Sequence, residues 1–309
     1  MRFSKKLLHA LGALVCVILL GYLSWRAVHL WDEVSGDIRN NPPWQGLIAA
    51  TLLSALAYVP LSIGWLLLLS VRVTPASLRG SMAIVLLSQA ARYLPGNVGH
   101  LIGKALLTRN WLSISLVRIT GLLTVELLLC MLSALLAGAF GIPYLLRALT
   151  LPPWIVTNWG WILGTGSLAL IAFFLAPPVR RGMSHFQFPS IGRCAIALTA
   201  YGTNVVLGGA AVWALATQIY PGNELTLGLA ILAYALAWLA GFVTPGAPAG
   251  LGVREFVFVI ILGPAMGESP ALILAGLLRL AAILGDIISF CMGAWLRARG
   301  YPEPAPVEP

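Results

Sequence analysis

The chain has 309 residues, of which 59% are hydrophobic and 9% charged, and its mean hydropathy is +0.91. Too little polar surface remains to cover a water-soluble globule, so the composition excludes a soluble domain and points to lipid. A formal charge of +9 would suggest nucleic acid in a soluble protein, but here the basic residues sit at the ends of apolar segments, which is a topology signal and implies no nucleic-acid partner.

Arg2, Lys5 and Lys6 precede an apolar stretch over 7–23, with no small-residue cleavage site before Trp25 and Arg26, the pattern of a retained signal anchor. Apolar segments long enough to cross a core of about 30 Å run over approximately 7–27, 46–70, 119–140, 154–175, 194–219 and 271–294. Between them lie two interrupted regions, 80–107 and 225–263, each split by a Pro-Gly pair. Limbs such as 98–107 and 251–262 reach only about 15 to 18 Å and are expected to be too short to cross. The expected fold class is all-α: a polytopic transmembrane helix bundle of about six full spans plus two broken, re-entrant helical hairpins. It forms one domain over 1–299, with halves at about 46–140 and 194–294, and residues 300–309 form a disordered Pro-rich tail.

Charge sets the orientation. If each interrupted region returns to its starting side, Arg72, Arg79, Arg109, Arg118, Arg180, Arg181, Arg193, Arg297 and Arg299 join the N-terminal cations inside, against Arg26, Arg39 and Arg147 outside. Asp32, Glu33, Asp37, Glu224 and Glu268 then fall outside, and both termini are cytoplasmic. Two fully spanning limbs give the same parity, so charge does not separate re-entrant hairpins from pairs of short spans. Trp25, Trp31, Trp44 and Trp154 lie near span ends, as interfacial anchors do. Cys16, Cys130, Cys194 and Cys291 fall in apolar runs with no metal or redox spacing, so no cofactor is implied.

The interruptions resemble one another. Arg92-Tyr93-Leu94-Pro95-Gly96-Asn97-Val98-Gly99-His100 leads to Lys104, and Val243-Thr244-Pro245-Gly246-Ala247-Pro248-Ala249-Gly250-Leu251-Gly252-Val253 leads to Arg254. In each, a cation follows the proline by nine residues, and the two motifs are offset by 150, as a duplicated half would give. With the assigned topology the hairpins enter from opposite sides, an inverted repeat of the kind used for alternating access. Proline and glycine supply the break, and the next limb opens with free backbone N–H groups able to face an anion. The competing reading is that the Pro-Gly pairs mark loop turns and that Gly99, Gly103, Gly246 and Gly250 are small-residue packing contacts.

These two segments, the second extending through Arg254 and Glu255, resemble the transmembrane region of the lysylphosphatidylglycerol synthases, which also occurs as stand-alone flippase-like integral membrane proteins. In the bifunctional relatives that region is associated with moving an aminoacylated lipid, and a soluble C-terminal domain makes it. The resemblance implies a transport role without aminoacyl transfer, a membrane lipid as substrate and a lipid-synthesising enzyme as candidate partner.

A charge at the bilayer centre costs roughly 2.5 to 3.5 kcal/mol, so each one needs a partner or a task. The substrate-binding candidates are Arg92, Pro95, Gly96, Asn97, His100, Lys104, Pro245, Gly246, Gly250, Arg254 and Glu255. Arg92, Lys104 and Arg254 suit a lipid phosphate, or else snorkel to the interface. Glu255 has the alternative role of counter-ion to Arg254, His100 that of a group satisfied by exposed backbone, and Asn97 that of a turn residue. Glu126 is a candidate proton carrier, and Arg279 and Asp286, seven apart on one face of the last span, are expected to form an internal salt bridge. The leading expectation is a translocator for an anionic lipid headgroup. The alternatives are a membrane transferase using a polyprenyl-phosphate donor, with Asp32 and Glu33 as base or metal ligands, and a structural membrane subunit.

Overall fold

The computed structural model describes residues 5–29, 42–93, 98–148, 189–220 and 225–300. Among these, all the regular elements are helical. In chain order they are α1 (Lys5–His29), α2 (Trp44–Leu56), α3 (Tyr58–Leu68), α4 (Pro75–Gln89), α5 (Gly99–Leu112), α6 (Leu116–Gly138), α7 (Ile142–Ala148), α8 (Ile191–Ile219), α9 (Leu227–Val243), α10 (Val253–Met266) and α11 (Glu268–Ala298). Short 3₁₀ turns occupy Ala90–Tyr93 and Pro248–Gly250.

Local chemistry explains where these helices start. Thr74 and Ser77 form a reciprocal capping box with Pro75 in the first turn of α4, and Ser115, Ser190 and Thr226 cap α6, α8 and α9 by accepting from backbone N–H groups three residues on. Each cap satisfies a donor that lipid cannot. The expected span over 46–70 is divided at Ala57. Pro60 lacks the N–H that the Leu56 carbonyl would take, and the Ala57 carbonyl turns aside to accept from Asn204 Nδ2 at 2.8 Å.

Among the described residues, five helical stretches are long and apolar enough to cross a membrane: Trp44–Leu68, Leu116–Tyr144, Ile191–Ile219, Pro248–Met266 and Glu268–Ala298. Only 39–44% of their apolar windows is buried, so each window leaves apolar side chains at least partly uncovered, as helices that face lipid do. Four of the five match expected spans, and α1 covers the first; the span expected over 154–175 lies outside the described residues. The limb expected to be too short is the exception. With the Pro248–Gly250 turn, α10 continues through Pro264 to Met266 and reaches spanning length, because a proline near the helix end removes one hydrogen bond without stopping it.

Among the described residues, the two larger hydrophobic cores are joined by α8. The N-terminal part of α8 (Ala197, Tyr201) packs with α3 to α6 around Trp65, Ile84 and Ile119. Its C-terminal part (Ala211, Val212, Leu215) packs with α2 and α9 to α11 around Leu229, Leu262 and Leu274. α4 packs on α5, and α9 on α10, so each break joins two helices that lie against each other, and the two 3₁₀ turns beside the breaks also touch. α1 lies on α10 and α11 through Leu19, Leu20 and an edge-on contact of Tyr22 with Phe256. Its Arg26 pairs with Glu268, so these two loop ends share one side of the bundle.

Close approach of α8 to α9 depends on glycine. A Cβ at Gly209 would stand 2.5 Å from Ile231 Cα, whereas one at Gly202 meets nothing within 4 Å. Gly209→Ala is expected to destabilise by about 1–3 kcal/mol, since the backbone itself must yield. Gly202→Ala should leave the thermal unfolding midpoint in detergent unchanged or slightly raised.

Candidate functional site

Between the two cores lies a cavity of about 180 Å³. On the measure where one water needs about 10–15 Å³, it has room for on the order of ten waters. Arg92, His100, Lys104, Glu126, Arg254, Glu255, Arg279 and Asp286 all line it, so sequence reasoning selected every charge that the described residues bring there. Leu127, Val205, Trp238 and Phe242 line it as well, giving one cavity a charged part and an apolar, aromatic part.

Three ion pairs are built into the charged part. Lys104 Nζ donates to both carboxylate oxygens of Glu126, at 2.6 and 2.8 Å, with each residue only 4% exposed. The Trp65 ring lies 4.6 Å from the same ammonium, and Tyr201 Oη donates to Glu126 from 3.4 Å. Arg92 stands 3.4 Å from Asp286 and donates to Tyr58 Oη at 2.6 Å and to Gln89. Asp286 also accepts from Tyr58 and Tyr93, each at 2.5 Å, which ties the segment before the first break to α3 and α11. Arg279 faces Glu255 at 3.7 Å and donates to the Ala249 carbonyl at 3.2 Å, which ties the second break to α11.

Two sequence expectations are thereby corrected. Arg279 and Asp286 do share a face of α11, but they do not bond to each other: seven residues rise by about 10 Å, and each finds a nearer partner on another helix. Glu255 is the partner of Arg279, not of its sequence neighbour Arg254, because consecutive side chains on a helix diverge. His100 also departs from expectation, since its buried Nδ1 has no hydrogen-bond partner among the described residues.

The second break is a sequence of left-handed turns. Gly246, Gly250 and Gly252 have φ of +83°, +71° and +78°, and Ala249 is forced to +51°, a conformation that costs a residue with a Cβ about 1 kcal/mol or more. Pro245 at this break is exposed, and Ala247 is fully buried against Val253. Gly250 approaches Gly241 so closely that a Cβ on either would meet the Arg254 side chain within 3 Å. The two glycines thus form a slot that holds Arg254 extended toward the cavity. Pro95, Gly96 and Asn97 lie outside the described residues, as do Asp32 and Glu33.

The nine-residue spacing made Lys104 and Arg254 look equivalent, but their surroundings differ. Lys104 is fully engaged by Glu126, whereas Arg254 takes part in none of the ion pairs formed among the described residues, and its Nε is buried without a hydrogen-bond partner. Tyr58, Gln89, Tyr201 and Asn204 were not selected from sequence, though a hydroxyl or amide inside an apolar run is a visible signal. Groups of three or more metal-ligating side chains do not occur among the described residues.

No protein-family model and no curated protein sequence matches the chain. Fold and cavity together define its class: an all-α, multi-pass membrane protein with a charged interior.

Removing one member of a buried pair strands the other. Lys104→Met is expected to destabilise by about 3–5 kcal/mol, and adding Glu126→Gln, which keeps an acceptor for Tyr201, should restore most of the loss. Thermal unfolding of the single and double variants in detergent measures this, and additive losses would show that the two side chains do not interact.

Proposed function

We propose that the protein is a lipid translocator: the charged cavity shelters an anionic headgroup while the hydrocarbon chains stay against the apolar wall and the bilayer. The observation that carries this reading is the junction of two interrupted helical segments, inside a bundle of membrane-length helices, at a cavity that is cationic on one part and apolar on another. Broken helices at membrane depth occur where freed backbone groups are buried in protein or meet a water-filled cavity. A cavity with both surfaces is complementary to an amphiphile and poorly suited to a small polar solute.

The resemblance of the two Pro-Gly segments to flippase-like membrane proteins supports the same reading, as does the inverted placement the charge pattern gives them. On this reading the protein resides in the cytoplasmic membrane with both termini cytoplasmic. The first broken segment acts as a re-entrant hairpin and the second returns through α10, which has spanning length, and the lipid comes from a lipid-synthesising enzyme.

The test uses purified protein in liposomes carrying a fluorescent headgroup-labelled anionic lipid. Transfer between leaflets should accelerate over protein-free vesicles and fall by at least about tenfold in Arg254→Ala, the loss of one charge-assisted contact. Unchanged transfer with Arg92 and Arg254 both replaced by alanine would take these residues out of the mechanism, and no acceleration by the unaltered protein would end the translocator reading.

A further inference from the structure

The cavity's charge balance is uneven by one. Among the described residues, four cations line it (Arg92, Lys104, Arg254 and Arg279) against three carboxylates (Glu126, Glu255 and Asp286). The three pairs described above leave Arg254 over. Its aliphatic stem is gripped between Gly241 and Gly250, so the guanidinium is not free to snorkel outward. A half-buried positive charge held beside a cavity in an apolar bundle favours an anion as its neighbour.

The unpartnered atoms describe that anion further. Arg254 Nε and Arg279 Nε are buried donors without acceptors, and His100 Nδ1 is a third unpartnered polar atom. Glu255 Oε2 is a buried acceptor without a donor. Beyond its Nε, which lies against Gly241 and Gly250, the Arg254 guanidinium keeps its terminal N–H groups, a fork that fits the unesterified oxygens of a phosphate. A free carboxylate oxygen fits a hydroxyl, and it repels further phosphate oxygens.

Resting on the translocator reading, we propose that this cavity selects a lipid whose headgroup carries one net negative charge, on a phosphodiester, with a hydroxyl beside it. A diphosphate brings more negative charge than the single unpaired cation balances. A zwitterionic headgroup leaves that cation uncompensated. A headgroup with net positive charge must pull a carboxylate away from its internal partner.

The test measures direct binding to the detergent-solubilised protein, by calorimetry or tryptophan quenching. The probes are dihexanoyl phosphatidylglycerol, dihexanoyl phosphatidylethanolamine, farnesyl diphosphate and the deacylated headgroup glycerophosphoglycerol. The phosphatidylglycerol should bind at least about tenfold more tightly than each of the others, the worth of one charge-assisted hydrogen bond.

Two variants move the charge balance in opposite directions. Arg254→Gln should abolish the preference for the monoanion over the zwitterion. Glu255→Gln should improve diphosphate binding by about tenfold, the effect of removing one like charge. An unaltered order of preference in both variants would overturn the proposal, and so would equal binding of the deacylated headgroup, which would make the ligand a soluble solute. The predicted binding order without headgroup transfer in liposomes would refute translocation alone, and transfer without that order would refute the charge selection alone.

Discussion

Ionised groups inside an apolar bundle have to be neutralised by neighbours, and here that requirement fixes where the two broken segments sit. Asp286 and Arg279, two turns apart on α11, are the anchor points. Asp286 accepts from Tyr93 and pairs with Arg92, both in the turn that precedes the first break. Arg279 donates to the carbonyl of Ala249, in the turn that follows the second Pro-Gly pair. One helix therefore sets the spacing between two loops far apart in sequence. With the surrounding dielectric low, neither contact can be lost without exposing a desolvated charge.

Hydropathy alone located most of the bundle, because spanning length and apolar content follow from the bilayer. The Pro-Gly pairs likewise marked the second break, where φ values above +70° at Gly246, Gly250 and Gly252 require residues without a Cβ. Partner choice was not legible in the same way. Periodicity places Arg279 and Asp286 on one face of α11, but whether they bond depends on what the neighbouring helices offer, and α10 offers Glu255 while the segment after α4 offers Arg92. Equal spacing from proline likewise made Lys104 and Arg254 look alike, and what separates them is Glu126, contributed by α6 from another part of the chain. The kink at Ala57 was visible in principle through Pro60, but the Asn204 amide that satisfies it comes from α8.

The internal pairs also bear on how such a cavity could release what it binds. Replacing a buried ion pair with well-packed apolar residues is often neutral or stabilising, so three pairs around one cavity are poorly explained by stability alone. On the translocation reading they have another use. If all four cations were unpaired, an anionic headgroup would meet a field strong enough to hold it, and a carrier must bind well enough to admit its cargo yet weakly enough to let it go. With Glu126, Glu255 and Asp286 each cancelling one cation, the attraction that remains is about that of a single guanidinium, held in place by Gly241 and Gly250. The carboxylates, on this argument, set the strength of the site as much as the arginine does, and the slot that immobilises Arg254 keeps that strength from being lost to motion of its side chain.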